Sequence, residues 1–304
     1  MLQSLPLSEL DAALSMLPEV IAIAILQSGI QEYGGDFGWL TDERVIKGVL
    51  YAHEAHGGKT RKRGNRLRLI HEVFCAHHIH NNQELQTWIN RQQHVTPALA
   101  VFGMVVHDCV ENFRDCAKEA NTPFDENAVI KKLAALWGEP STFVYIHEKG
   151  IRFMTDAADL RGKNRINAQI EKAFDKDRFL CIDMLQQCWR MYDKFSNVCL
   201  DAMECRDQLF SRKNAANCYT KAHKKRFVLE YPAAKLIERE YWEAMEVLEE
   251  RAWRGIPRTF HESVLFSFRK SVRKALARSI DVQRALLKMT HSNKNAAGNE
   301  APIL

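Results

Sequence analysis

Apolar residues recur at intervals of three and four along most of the chain, β-branched alternation is scarce, and turn residues separate the periodic stretches. This is the pattern of consecutive amphipathic helices. Thr41 is predicted to cap a helix that starts at Asp42 and is stopped by Gly57-Gly58. A basic loop leads into a helix over 69–78, Asn81-Asn82 mark a turn, and a polar helix covers 83–93. Thr96-Pro97 opens the next helix, which runs through "ALAVFGMVV" and carries His107 and Asp108 at its far end. Further helices are expected over 126–136, 141–154, 164–173, 177–197, 214–229, 233–254 and 262–289, and residues 290–304 have the composition of a disordered end. No fixed-period repeat is visible, so the expected class is an all-α helical bundle and not a solenoid.

Composition narrows the picture modestly. The 304 residues, 46% of them hydrophobic, suffice for one large domain or two modest ones with a real core. The start carries no basic residue before Pro18-Glu19, and "VIAIAIL" is far short of the ~20 apolar residues needed to cross a bilayer. A cytoplasmic protein without membrane partners is therefore expected. Eight Cys without a C-x-x-C pair suggest free thiols and neither a disulfide framework nor a zinc knuckle. The net charge of +5 permits an anionic ligand without announcing a nucleic-acid binder. No Gly-rich phosphate loop, G-x-S-x-G elbow or H-E-x-x-H motif is present.

The polar groups that stand out are those set into apolar surroundings. In "VFGMVVHDCVENF" a His-Asp pair ends a core-like run, and Glu111 follows one turn later. A buried imidazole and carboxylate are costly unless paired, and a metal ion is one such partner. His107 and Asp108 are therefore candidate ligands, with Glu111 able to orient or activate a bound water. The cluster His77, His78 and His80 is the weaker candidate, because adjacent helical residues point ~100° apart and no acid lies close in sequence. Seven Lys or Arg between Lys47 and Arg68, against Glu54 as the one acid, make that stretch a plausible polyanion site.

The series "YAHEAHGGKTRKRGNRLRLIHEV", "VVHDCVEN" and "KDRFLCIDMLQQCWRMYDKF" resembles the HD-type hydrolase domain of the RelA/SpoT family and its metazoan SpoT homologues. Those domains carry a His-Gly helix end, a basic loop, a His, an apolar helix ending HD-x-x-ED, and a later helix reading roughly LADRLHNM. The likeness spans 41–197, with weaker echoes to 236. It implies an HD-domain-like bundle and metal ligation by His71, His107 and Asp108, with manganese as the family's ion. It further implies that Glu111 works on the attacking water, with Asn112 in place of the pair's second acid. Arg61 and Lys62 would hold the nucleotide, which in the family is guanosine tetra- or pentaphosphate losing its 3'-pyrophosphate. The fourth ligand, an Asp in the family, falls on Gln186, with Asp183 one turn earlier as a substitute. Arg190 falls on the family's substrate-contacting Asn, and Tyr231 on a nucleotide-contacting Tyr.

The expected organisation is an N-terminal helical segment over 1–40, an HD-like hydrolase domain over 41–236, a helical extension over 237–290 and a tail over 291–304. The leading reading is a divergent metal-dependent phosphohydrolase acting on a nucleotide. One alternative is a degenerate HD domain that binds a nucleotide or protein partner without turnover. The other is a helical interaction or nucleic-acid-binding module, through the helix over 262–289 with its seven basic residues in "VLFSFRKSVRKALARSIDVQRALLKM".

Overall fold

A computed structural model of the chain describes residues 14–61, 66–154, 184–207, 211–225, 229 and 237–253. The described residues form helices and no strand, as the three- and four-residue periodicity predicts. The helices expected over 164–173 and 262–289 lie outside them, as does the C-terminal tail.

The first half begins with α1 (Glu19–Ser28), which ends at Gly29 in the left-handed region (φ 69°), and the short α2 (Ile30–Tyr33). Then come a 3-10 turn (Gly38–Thr41) and α3 (Glu43–Ala55). The cap of α3 is Asp42, whose carboxylate accepts from the Arg44 N–H, while the expected cap Thr41 belongs to the preceding turn. The chain leaves α3 through Gly57 (φ 59°) and Gly58 (φ 66°), backbone angles that favour glycine. α4 (Ile70–Asn81) and α5 (Gln83–Ile89) meet at Asn82, which caps α5 by accepting from Leu85 N–H. α6 (Pro97–Val105) starts at Thr96-Pro97 as the sequence predicts, with the Thr96 hydroxyl accepting from Leu99 N–H.

α6 does not continue through His107. It stops at Val105, residues 106–108 form a turn, and α7 (Cys109–Glu119) starts anew. The reason is local: His107 Nδ1–H donates to the Met104 carbonyl at 2.7 Å, the acceptor that the Asp108 N–H would use in a continuing helix. The His-Asp pair thus sits at a corner between two helices.

α8 (Glu126–Trp137), capped by Asp125, leads to α9 (Pro140–Ile146), a π turn (His147–Ile151) and α10 (Arg152–Met154). The single helix expected over 141–154 is therefore interrupted by the wider π turn. After the undescribed stretch come the long α11 (Met184–Arg206), α12 (Arg212–Lys225) and α13 (Glu238–Trp253).

α4 and α6 form the centre. Every residue of α6 from Leu99 to Val105 is buried, and α4 is buried from Ile70 through His77. α4 packs on α1, α6 and α11, α3 packs on α6, and α13 bridges α11 and α12. A Cβ added at Gly103 would lie 2.3 Å from Cη2 of Trp189 on α11, so the missing side chain is what lets these helices approach. The cysteines of the described residues are free thiols, mostly buried. No described helix is long and apolar enough to cross a membrane.

Candidate metal centre

Three elements of the core converge on one buried group. The first turn of α4 supplies His71, the α6–α7 corner supplies His107 and Asp108, and α11 supplies Asp193. His71 Nε2 lies 3.9 Å from Asp108 Oδ2 and 3.7 Å from Asp193 Oδ1, and His107 Nε2 lies 3.2 Å from Asp108 Oδ1. The ligand atoms of His71, His107 and Asp108 all fall within 4.8 Å of one another. An ion held at ~2.1 Å by each donor sets neighbouring donors roughly 3 to 4 Å apart, so the spacing fits a small divalent cation.

Hydrogen bonds orient both rings for that role. With Nδ1–H committed to Met104, His107 is left with a bare Nε2, a buried atom without a hydrogen bond. On α11 the Ser196 hydroxyl lies 3.0 Å from the Asp193 carbonyl and 2.8 Å from His71 Nδ1, and when it donates to the carbonyl it accepts from the ring. In that arrangement His71 carries its proton on Nδ1 and aims the Nε2 lone pair at the carboxylates. Fixing the tautomer through the remote nitrogen is what the outer shell of a metal-bound histidine does. Two imidazoles and a carboxylate suit manganese, iron or zinc better than a soft, thiol-seeking ion.

The electrostatics are those of a dense buried network. Burial works against charge on His107, but Asp108, Asp193 and Glu72 outweigh it and shift the ring upward. Burial dominates at His71 and shifts it downward. Asp193 is held far below the usual carboxylate range despite its burial, because Lys194, His107, His71 and Arg190 surround it. Lys194 Nζ sits 2.5 Å from Asp193 Oδ2, leaving Oδ1 to face His71. Glu72, beside His71, pairs with His56 at 2.7 Å, and its carboxyl is pushed down to about 2 against burial by His56, His71 and His107.

The structure thus brings His71, His107 and Asp108 together, and on α11 it sets an acid, in place of Gln186, 3.7 Å from His71. That acid is Asp193, seven residues later on α11, about 10 Å along the axis. Gln186 itself is buried. Asp183, Lys62 and Tyr231 lie outside the described residues. Glu111 is buried in the first turn of α7, and Asn112 is half-buried, its N–H bonded to the Asp108 carbonyl. Both belong to the α7 start that the Asp108 carbonyl nucleates. Arg190, expected to meet substrate, is buried with Nη1 3.8 Å from Asp193 Oδ2, so its charge bears on the centre through that carboxylate.

Arg61 differs most from expectation. Its Nε donates to Glu204 Oε1 and its Nη2 to Asp201 Oδ1, both at 2.8 Å, so two carboxylates of α11 already hold the guanidinium expected to meet a nucleotide. Sequence reasoning placed Asp193 about two turns beyond Gln186 without assigning it a role, and it left Ser196, Glu72 and Lys194 aside. A signal existed for two of them: Asp193 and Ser196 stand one turn apart among Trp189, Tyr192 and Leu200, polar groups on an apolar helical surface. No family model, no curated protein and no solved structure matches the chain.

Proposed function

We propose that the chain is a metal-dependent phosphohydrolase of the HD type acting on a nucleotide, with His71, His107, Asp108 and Asp193 holding a divalent ion such as manganese. The observation that carries this reading is the shared aim of the two histidines: each has Nδ1–H tied to a neighbouring oxygen and presents Nε2 to the space lined by Asp108 and Asp193. The resemblance can also be aligned on Asp193. With Asp193 in the place of the family's Asp, the stretch Asp193-Lys194-Phe195-Ser196-Asn197 reads against its D-R-L-H-N, and Asn197 takes the position earlier given to Arg190.

A bound ion would lower the pKa of a coordinated water and draw charge from a phosphoryl oxygen. The chain's own contributions are separate. Ser196 and the Met104 carbonyl fix the imidazole tautomers, Lys194 orients Asp193, and buried Glu111 stands three residues beyond Asp108 as the acid for proton transfer. Guanosine tetra- and pentaphosphate are the substrates the resemblance suggests.

Metal analysis of protein purified without chelator tests the centre, and a nucleotide panel tests the chemistry. The expected result is about one divalent ion per chain, lost in His107→Ala together with hydrolysis. A chain that takes up no manganese, iron or zinc refutes the reading. Binding without turnover is favoured by one feature, the engagement of Arg61 by Asp201 and Glu204. A metal-loaded chain that binds nucleotides and releases no phosphate or pyrophosphate from any of them would establish that alternative.

A further inference from the structure

The stretch between α3 and α4 is closed at its base by the buried His56–Glu72 pair and bridged between Thr60 and Leu67. Residues 57–71 contain no acid, so the ion pairs of the described residues there reach elsewhere in the fold. Lys59 pairs with Glu119 of α7, Arg66 with Asp207 just beyond α11, and Arg61 with both Asp201 and Glu204. The Arg61 contact is the most enclosed: its side chain is 13% exposed and that of Glu204 is 1% exposed. Burial pushes the Glu204 carboxyl up while Arg61 opposes it, so each charge depends on the other.

We propose that Asp201 and Glu204 act as an acid clamp on Arg61 and set how tightly the site takes a polyanionic, phosphorylated ligand. A phosphate group offers a guanidinium the same paired acceptors as these two carboxylates, so ligand and clamp compete for one cation. The position suits that competition. Asp201 and Glu204 follow Asp193 by eight and eleven residues on α11, roughly 12 and 16 Å along its axis. Glu204 returns to nearly the same face, since eleven residues make about three turns. The candidate metal centre and the clamped guanidinium therefore lie along one helix, about three turns apart. The inference rests on the proposed function only for the choice of a phosphorylated ligand.

The test is calorimetric titration of the full chain, stripped of metal, with inorganic tripolyphosphate at low salt. Asp201→Asn/Glu204→Gln should bind the probe at least tenfold tighter than the unaltered chain, and adding Arg61→Ala should cancel the gain. Glu43→Gln/Glu126→Gln, the same change in charge at exposed positions of α3 and α8, should give no comparable gain. Unchanged affinity in the clamp variant, or a gain that survives Arg61→Ala, overturns the proposal. Should the double variant fail to fold, Asp201→Asn alone should tighten binding about threefold, and no change there overturns it equally. Because the titration needs no metal, its outcome is independent of the metal analysis that decides the proposed function.

Discussion

Acid should unfold this protein partly through His77, six residues beyond His71 on α4. His77 is 1% exposed. Its Nε2–H donates to the Gly34 carbonyl at 2.6 Å, and its Nδ1 faces the Asn81 amide at 3.4 Å. Burial, reinforced by His80, shifts the ring down to about 4. The unfolded chain takes up this proton near pH 6.5 and the folded chain only near 4, so between those values the unfolded state binds more protons. Stability is therefore intact above pH 6.5 and falls as pH drops through this window. At pH 5 the penalty is RT ln[(1 + 10^1.5)/(1 + 10^−1)], about 2 kcal/mol. It changes little for any folded value at or below about 4.

Urea titrations of the chain and of His77→Gln, in chelator at pH 7.5 and pH 5, isolate this contribution. The many carboxylates lose stability in both proteins and cancel in the difference. The stability advantage of the unaltered chain over His77→Gln should shrink by about 2 kcal/mol from pH 7.5 to pH 5. An advantage unchanged to within about 0.5 kcal/mol would show that His77 does not resist protonation, and the reasoning from burial would fail.

Other consequences concern the centre and its scaffold. Asp193→Asn should abolish tight manganese binding in a metal titration, whereas Gln186→Ala should leave it within severalfold; the opposite ranking would restore the earlier register. Ser196→Ala removes the acceptor that holds the His71 tautomer and should weaken metal affinity roughly 10- to 100-fold with the fold intact by circular dichroism. Gly103→Ala forces a Cβ to within 2.3 Å of Trp189 Cη2 and 2.7 Å of Ile146 Cγ2. It should cost ~1–3 kcal/mol or more in denaturant titration and loosen the metal, because α6 ends at the His107 corner. An unshifted unfolding midpoint would mean that the contact yields easily.

Much of the architecture was legible because its causes are local. Thr96-Pro97 starts a helix through a hydroxyl cap and a fixed φ, Gly57-Gly58 ends another through positive φ, and an unbroken apolar run could only be central. His107 and Asp108 are neighbours in sequence, so their proximity needed no fold. The corner that separates them from α6 was less visible, since it depends on one side chain competing for the Met104 carbonyl.

The tertiary structure decided everything that depends on where α11 lies. Asp183, Gln186 and Asp193 are all polar residues of one segment, and no local rule selects among them. What faces His71 follows from packing: Trp189 seats against Gly103, and that register turns Asp193 and Ser196 towards His71. Arg61 is a similar case. Its basic surroundings suggest a ligand, yet its charge is met by acids 140 and 143 residues away. Periodicity and caps are short-range and can be read from sequence alone; the pairing of a buried charge is settled only once distant helices pack, because burial without a partner is too costly to persist.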